Sequence, residues 1–455
     1  MSETKIRNNI LTKKNIPIIL VLTAAAVIRL AILFVYGADY SLNSDDLSYI
    51  NAAKTFCETG QITMHSVISA QIMPGMIWLL SPFVLIFKEG IALWTAVKLF
   101  WLVMSLFSIY GVYRIVMIYA PRPYAVVATI FFLAIDFAWM DNLILTETPF
   151  MLSLVYLVYA SLQLARTQKK KYFWQICFWY MCALLLKATI APYPVFLFVY
   201  LWLKKYDMRL MFRQMGIAIL IVLAFIIPWS VRNYIRFDHF IPLTYGAGNP
   251  KLLGSYQGNL APLDEDLDYQ TNVYDKMPEE MRKYYADDGT LRPEYEGDGW
   301  YEDYMAAYYS LELDGMKADY RISVWREEAT RDYLVSTFVK KPYMMVYNSF
   351  YWEDMFGIPI SVNYWFRRAD LLLFAAGCIG ILLNRGRWKE GMFLMSEYLF
   401  QILVYAVTFS YGRYAQTLYF FRFIIIGWGL YELVAYLNRK KQGIRSDDKG
   451  VGKVQ

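Results

Sequence analysis

Apolar residues run along this chain in blocks. They lie at about 16–36, 91–119, 124–143, 148–166, 172–187, 190–203, 209–228, 369–384, 391–411 and 418–437. The longest of these, such as 16–36, 91–119 and 209–228, reach or exceed the ~20 helical residues that cross a hydrocarbon core. Two further stretches, Pro74–Phe87 and Tyr343–Ile360, are short or interrupted, the second by Asn348, Glu353 and Asp354. Apolar stretches of that kind lie in the membrane interface more often than they cross it. The pattern predicts ten spans and two surface helices, with polar, aromatic-rich segments at 37–90 and 229–368.

Charge sets the orientation. The groups Lys5/Arg7/Lys13/Lys14, Arg114/Arg122, Arg166 with Lys169–Lys171, Lys204/Lys205/Arg209, Arg385/Arg387/Lys389 and the tail from Arg439 all fall on one side if only the ten blocks cross. That side is then cytoplasmic. A crossing by Pro74–Phe87 would put the lysine triplet outside, against this bias. The outer region 229–340 holds 21 acidic against 12 basic residues, a net −9, while the rest of the chain carries +15.

Composition agrees with a membrane protein. Apolar residues make up 58% and charged residues 18%, where soluble domains average ~45–50% and ~25%. The apolar fraction and the long apolar runs exclude a soluble globule, a disordered chain and a coiled coil as the main reading, and the net charge of +6 is no nucleic-acid signature, because the basic residues collect at helix ends. Cys57, Cys177, Cys182 and Cys378 have neither metal-site nor disulfide-framework spacing. The first apolar block runs through Arg29 and shows no small-residue cleavage site, so it is expected to stay as a span. The expected fold is an all-α polytopic integral membrane protein with outer-face surface helices and a mixed extracytoplasmic segment. Its parts are a transmembrane module at 1–228 containing the outer loop 37–90, an outer segment at 229–368, and C-terminal spans with a cytoplasmic tail at 369–455.

The densest polar cluster beside a span is Asn43-Ser-Asp45-Asp46-Leu-Ser-Tyr49, just after the first block. A carboxylate shielded at the membrane face is a competent base for a hydroxyl. The structural alternative is a cap, Ser44 or Asp45, on an amphipathic helix over Leu47–Glu58. Topology brings a third carboxylate, Glu147 of Leu145-Thr-Glu147-Thr-Pro149, to the same face, with Thr146 as its alternative cap. Lys187, Arg232 and Arg413 supply cations at outer span ends, while Arg29 is expected to snorkel to the headgroups. Carboxylates facing cations at an outer membrane surface suit a lipid-borne phosphate as leaving group, where cations take up its charge and a base activates the acceptor. Aromatic rings in the outer segments offer faces for sugars.

The order of motifs resembles a family. Ser-Asp45-Asp46-x-x-Tyr49 leads into Ala52-Ala-Lys-Thr-Phe-Cys-Glu-Thr-Gly60. Pro74-Gly75, Thr-Glu147-Thr-Pro-Phe, Pro228-Trp-Ser-Val-Arg-Asn233, Phe240-Ile-Pro-Leu243 with Gly246, and Gly412-Arg-Tyr414 follow. Over most of its length the chain is similar to GT-C membrane glycosyltransferases of family 39, which include protein O-mannosyltransferases and lipid A aminoarabinose transferases. The resemblance implies that Asp45 is the first-loop catalytic aspartate, with Asp46 and Glu147 at later acidic positions. Tyr49 and His65 are the accompanying substrate-side candidates. It also implies an undecaprenyl- or dolichyl-phosphate sugar as donor, a glycan, lipid or protein acceptor, no cofactor and no catalytic metal. The aminoarabinose transferases carry a lysine where this chain reads Ala70-Gln71-Ile-Met73-Pro74, so the phosphate falls to Lys187, Arg232 and Arg413. The Trp-Trp-Asp-Tyr-Gly signature of oligosaccharyltransferases is absent, and Tyr351-Trp-Glu-Asp354 is a poor substitute.

The expected function is inverting transfer of a sugar from a polyprenyl-phosphate carrier to an acceptor hydroxyl outside the cytoplasmic membrane. Membrane lipids surround the site and nucleic acid plays no part. A transporter or flippase of lipid-linked sugars would need the phosphate grip but no base. A scaffold for cell-envelope assembly would leave the paired carboxylates without a role.

Overall fold

The computed structural model describes residues 15–258, 261–297, 301–350 and 356–441. The basic N-terminal group, Tyr351–Asp354 and the tail past Lys441 lie outside the described residues. In chain order the helices are α1 (Ile16–Tyr36), α2 (Asp45–Thr59), α3 (Gly75–Phe87), α4 (Ile91–Val116), α5 (Arg122–Ile130), α6 (Ile135–Asn142), α7 (Glu147–Thr167) and α8 (Lys170–Leu186). They continue as α9 (Tyr193–Leu203), α10 (Met208–Phe237), α11 (Gly248–Ser255), α12 (Tyr304–Glu328), α13 (Ile360–Leu383), α14 (Trp388–Val407) and α15 (Tyr419–Lys441), with shorter helical turns between them. Strand structure among the described residues is one hairpin, β1 (Thr63–Met64) with β2 (Val67–Ile68).

All ten expected span positions are helical, and they fall into three kinds. Five helices are long and apolar enough to cross a membrane by themselves: α1, α4, α7, α10 and the run Gly412–Lys441 that ends in α15. The chain is a multi-pass membrane protein. The single span expected at 124–143 is instead two helices meeting at 62°. Ala134 at the break has extended ψ, and α6 beyond it is buried along its whole face. The bend turns Asp136 and Asp141 into the bundle, where each finds an arginine. The remaining four, α8, α9, α13 and α14, are shorter or carry charges that pack against neighbours.

Two boundaries moved outward. The span expected to stop at Pro228 continues to Phe237. Its last turns are pinned, with Trp229 Nε1 donating to the Leu243 carbonyl at 2.7 Å and Asn233 Nδ2 to the Ile241 carbonyl at 2.8 Å. The span expected from 369 begins at Ile360. Arg367 and Arg368 looked like its polar edge, but Arg367 is buried inside the helix. The stretch 264–297 forms short helical turns and loops.

Candidate active site

The loop after α1 is built to present one carboxylate and hide its neighbour. Gly37 closes α1, and Lys98 on α4 donates to the Tyr40 carbonyl at 2.8 Å. Asp46 turns back into the loop. Its carboxylate accepts from the backbone N–H groups of Leu42 at 2.9 Å, Leu47 at 3.0 Å and Ser44 at 3.3 Å. Asp46 is completely buried, so it is a clamp that shapes the loop. The cap expected of Ser44 is not made by its side chain. Asp45, one residue earlier, is left facing a cavity, its side chain 32% exposed.

That cavity has a volume of about 760 Å³, inside the ~300–1,000 Å³ common for ligand sites. At one side of it four charged groups form a chain. Arg413 donates from Nη1 to Asp45 Oδ2 at 2.7 Å, and its Nε lies 2.8 Å from Glu147 Oε1. Lys187 Nζ donates to the same Glu147 oxygen at 2.7 Å. Glu147 is fully buried, with Thr146 Oγ1 donating to its other oxygen at 3.4 Å, so Thr146 supports Glu147 and caps nothing. Two acids and two bases bring the cluster to zero net charge. Lys187 also sits 4.6 Å from the Tyr414 ring centroid, and Tyr414 stacks on Tyr405 at 4.9 Å.

Packing brings these groups together from distant parts of the chain. Lys187 stands at the C-terminal end of α8. Gly75 at the start of α3 lies against that end so closely that a Cβ there would come within 2.4 Å of the Leu185 carbonyl oxygen. Any side chain at this position would force α3 away from α8.

Tyr49, buried on α2, faces the cavity. Burial, assisted by the Asp45 carboxylate, holds its hydroxyl well above the ordinary tyrosine range. His65 reaches the cavity from the β1–β2 turn, where His65 and Ser66 both take positive φ (51° and 71°). Two such residues make the tight turn that suits a hairpin's twist. The His65 Nδ1 lies 3.1 Å from Ser48 Oγ. Burial lowers its pKa, and the Asp45 carboxylate opposes that shift.

Arg232 does not join the cluster. Its guanidinium donates to the carbonyls of Ser69 at 2.9 Å and Ile62 at 3.2 Å and to Asn233 Oδ1 at 2.8 Å. It ties the end of α10 to the hairpin and lines a separate hollow of about 310 Å³. Of the three cations expected at the phosphate, Lys187 and Arg413 meet at the cavity and Arg232 does not. Arg29 is not a headgroup anchor either. It is 3% exposed and bonds Asp141 at 2.8 Å, and Asp141 accepts from Thr148 Oγ1 at 2.6 Å. Cavity residues that sequence reasoning did not single out include Thr189, Asn249, Asp314 and Tyr405. Tyr405 stands nine residues before Tyr414, too far for any local pattern to join them. Among the described residues no group of three or more His, Cys, Asp or Glu could hold a metal ion.

No family model matches the chain, and comparison with curated proteins finds no match. Solved structures similar to it include the oligosaccharyltransferase AglB from Archaeoglobus fulgidus, in complex with an inhibitory peptide and a dolichol-phosphate. There the identity is 13% and the TM-score 0.47, over 96% of this chain and 52% of that one. ArnT from Cupriavidus metallidurans, bound to undecaprenyl phosphate, is similar at 13% identity and a TM-score of 0.42, over 93% of this chain and 79% of its own. The chain spans about half the length of the oligosaccharyltransferase. Both neighbours are GT-C membrane glycosyltransferases. At these scores the site is read from its own geometry.

Proposed function

We propose that the protein transfers a sugar from a polyprenyl-phosphate carrier to an acceptor hydroxyl at the outer face of the cytoplasmic membrane, with inversion. The observation that supports this reading is the chain Asp45–Arg413–Glu147–Lys187 opening into one cavity. The acceptor oxygen attacks the anomeric carbon while the bond from that carbon to the phosphate oxygen breaks. The phosphate leaves with the electron pair, and the hydroxyl proton passes to Asp45. The leaving group gains one negative charge during this step. Cations beside it therefore stabilise the transition state more than the bound donor. Lys187 and Arg413 take that role, and Glu147 holds them in place between turnovers. Arg413 also touches Asp45, so phosphate binding at the arginine loosens the carboxylate that must act as base. Inversion requires the base and the leaving group on opposite sides of the sugar.

The test is release of free polyprenyl phosphate by purified protein. Asp45→Asn removes the proton acceptor with almost no change in shape, and the expected loss is ~10²–10⁴-fold. Asp46→Asn is the contrast. It puts an amide N–H against backbone N–H groups and costs ~1–3 kcal/mol of stability, read as a lower unfolding temperature. Near-normal release by Asp45→Asn would overturn the mechanism. Lipid movement without release by wild-type protein would make it a flippase.

A further inference from the structure

A second hollow, of about 530 Å³, lies in the outer segment, with Tyr285, Glu296 and Lys317 among the residues on its walls. Tyr301, Ser310 and Asp314 line both this hollow and the reaction cavity, so the two spaces meet at that rim. Ser310, Asp314 and Lys317 are spaced by four and three residues along α12, which puts them on one helix face. The rim is held in shape. The Tyr301 hydroxyl donates to Ser310 Oγ at 2.6 Å, and Asp314 accepts from Asn249 Nδ2 at 3.0 Å. Asn249 can reach because α11 lies directly on α12: a Cβ on Gly248 would fall 1.8 Å from the Leu311 carbonyl oxygen.

The chemistry of these walls is selective. Hydroxyl and carboxylate groups match ligands rich in both donors and acceptors. Tyrosine rings offer flat faces with polar tips. Glu296 and Asp314 outweigh Lys317 in charge, within a region of net −9, so anionic chains are repelled. A lipid acceptor would call for mainly apolar walls, whereas here Leu291 and Leu313 are outnumbered by Tyr285, Glu296, Tyr301, Ser310, Asp314 and Lys317.

We propose that the second hollow is the acceptor subsite, and that the acceptor is an uncharged or amino-substituted oligosaccharide. Its terminal sugar passes the Tyr301–Ser310–Asp314 rim toward Asp45, and the sugars behind it lie in the second hollow. This rests on the transfer reaction proposed above.

Saturation-transfer NMR and calorimetry on the full-length protein in nanodiscs test it. The probes are maltotetraose, chitotetraose and the glucosamine tetramer, with tetragalacturonate as the anionic counterpart. At least one of the first three should bind, and tetragalacturonate should bind more weakly. Tyr301→Ala and Asp314→Asn should each weaken that binding by ~10-fold, the scale of one charged or well-placed hydrogen bond. Undecaprenyl phosphate should bind both variants as it binds wild type. Failure of all three probes, preference for the anionic tetramer, or unchanged affinity in both variants would overturn the subsite. Those failures with Asp45-dependent release intact would sink this inference alone. Normal release by Asp45→Asn would sink the transfer reading whatever the probes do.

Discussion

Two buried clusters in this protein have the same charge content and opposite access. One is Asp45, Glu147, Lys187 and Arg413 at the cavity. The other is Asp136 on α6, Arg367 and Asp370 on α13, and Arg422 on α15, where Arg367 bonds Asp136 at 2.5 Å and Asp370 at 2.6 Å and Arg422 bonds Asp370 at 3.0 Å. Each holds two acids and two bases and is neutral. Every side chain of the second cluster is 0–1% exposed, with Tyr419 stacked against both arginines and Ser349 donating to Asp136 at 2.7 Å. In the first cluster Asp45 is 32% exposed and Arg413 and Lys187 are each 11% exposed. The sealed cluster joins the C-terminal helices to α6 and has no route to a ligand. The open one joins α2, α7, the end of α8 and the helical turn before α15, yet Asp45, Lys187 and Arg413 face a space where a ligand could replace a partner. Charge buried in a membrane protein marks chemistry only where the partner can be exchanged.

The largest effect should come from breaking the sealed cluster. Arg367→Met leaves Asp136 with no cation and Asp370 with Arg422 alone, both away from water, and removing one partner of a buried pair costs about 3–5 kcal/mol. Thermal unfolding in detergent should show a large drop. Arg413→Met should lower stability much less, because Asp45 can rehydrate and Glu147 keeps Lys187. Equal losses in the two variants would erase the distinction.

The same contrast separates what the sequence revealed from what it hid. Asp45, Glu147, Lys187 and Arg413 were legible because each stands at a span end, where an ionisable group is conspicuous and topology alone brings it to one face. The sealed cluster was not legible. Asp136 and Arg422 sit inside apolar blocks, Arg367 posed as a block edge, and Arg367 meets Asp136 across 231 positions. No local pattern carries such a pairing, because it arises only when α6 bends and α13 packs along α15. The neighbours Asp45 and Asp46 show the same limit at short range. Both are aspartates at one helix start, and only the turn of the loop makes one a clamp and leaves the other facing the cavity. Arg232 and Arg29 misled for the reverse reason: Arg232 stands where a functional cation would and Arg29 where a headgroup anchor would, and packing gave each a structural partner.

A smaller effect tests the exchange of partners directly. Lys187→Met should weaken binding of undecaprenyl phosphate by about 2–4 kcal/mol, the range for truncating one member of a close charge pair at an interface. Arg422→Met, in the sealed cluster, should leave lipid affinity unchanged in whatever fraction remains folded. Titration calorimetry in nanodiscs reads both. Unchanged affinity in Lys187→Met would return that lysine to a purely structural role beside Glu147.

The smallest effect concerns pH and sharpens the comparison at its edge. The chain has two histidines, and His65 lies on the wall of the open cavity near Asp45. No histidine belongs to the sealed cluster. Burial lowers the folded-state pKa of His65 below 6.5, with Asp45 pulling the other way, while in the unfolded chain the ring titrates near ~6.5. The unfolded state therefore takes up the proton first as pH falls. Stability from this residue is present above ~6.5 and declines as pH drops from there toward the folded pKa. His65→Gln removes the titrating ring and should flatten that decline as pH falls below ~6.5, measured as unfolding temperature against pH. A donor phosphate bound at Lys187 and Arg413 adds negative charge to the same cavity and favours the imidazolium. With undecaprenyl phosphate present, the wild-type decline should become shallower, while His65→Gln shows no such response. An identical pH profile for wild type and variant, with and without the lipid, would show that His65 is electrostatically separate from the charged cluster.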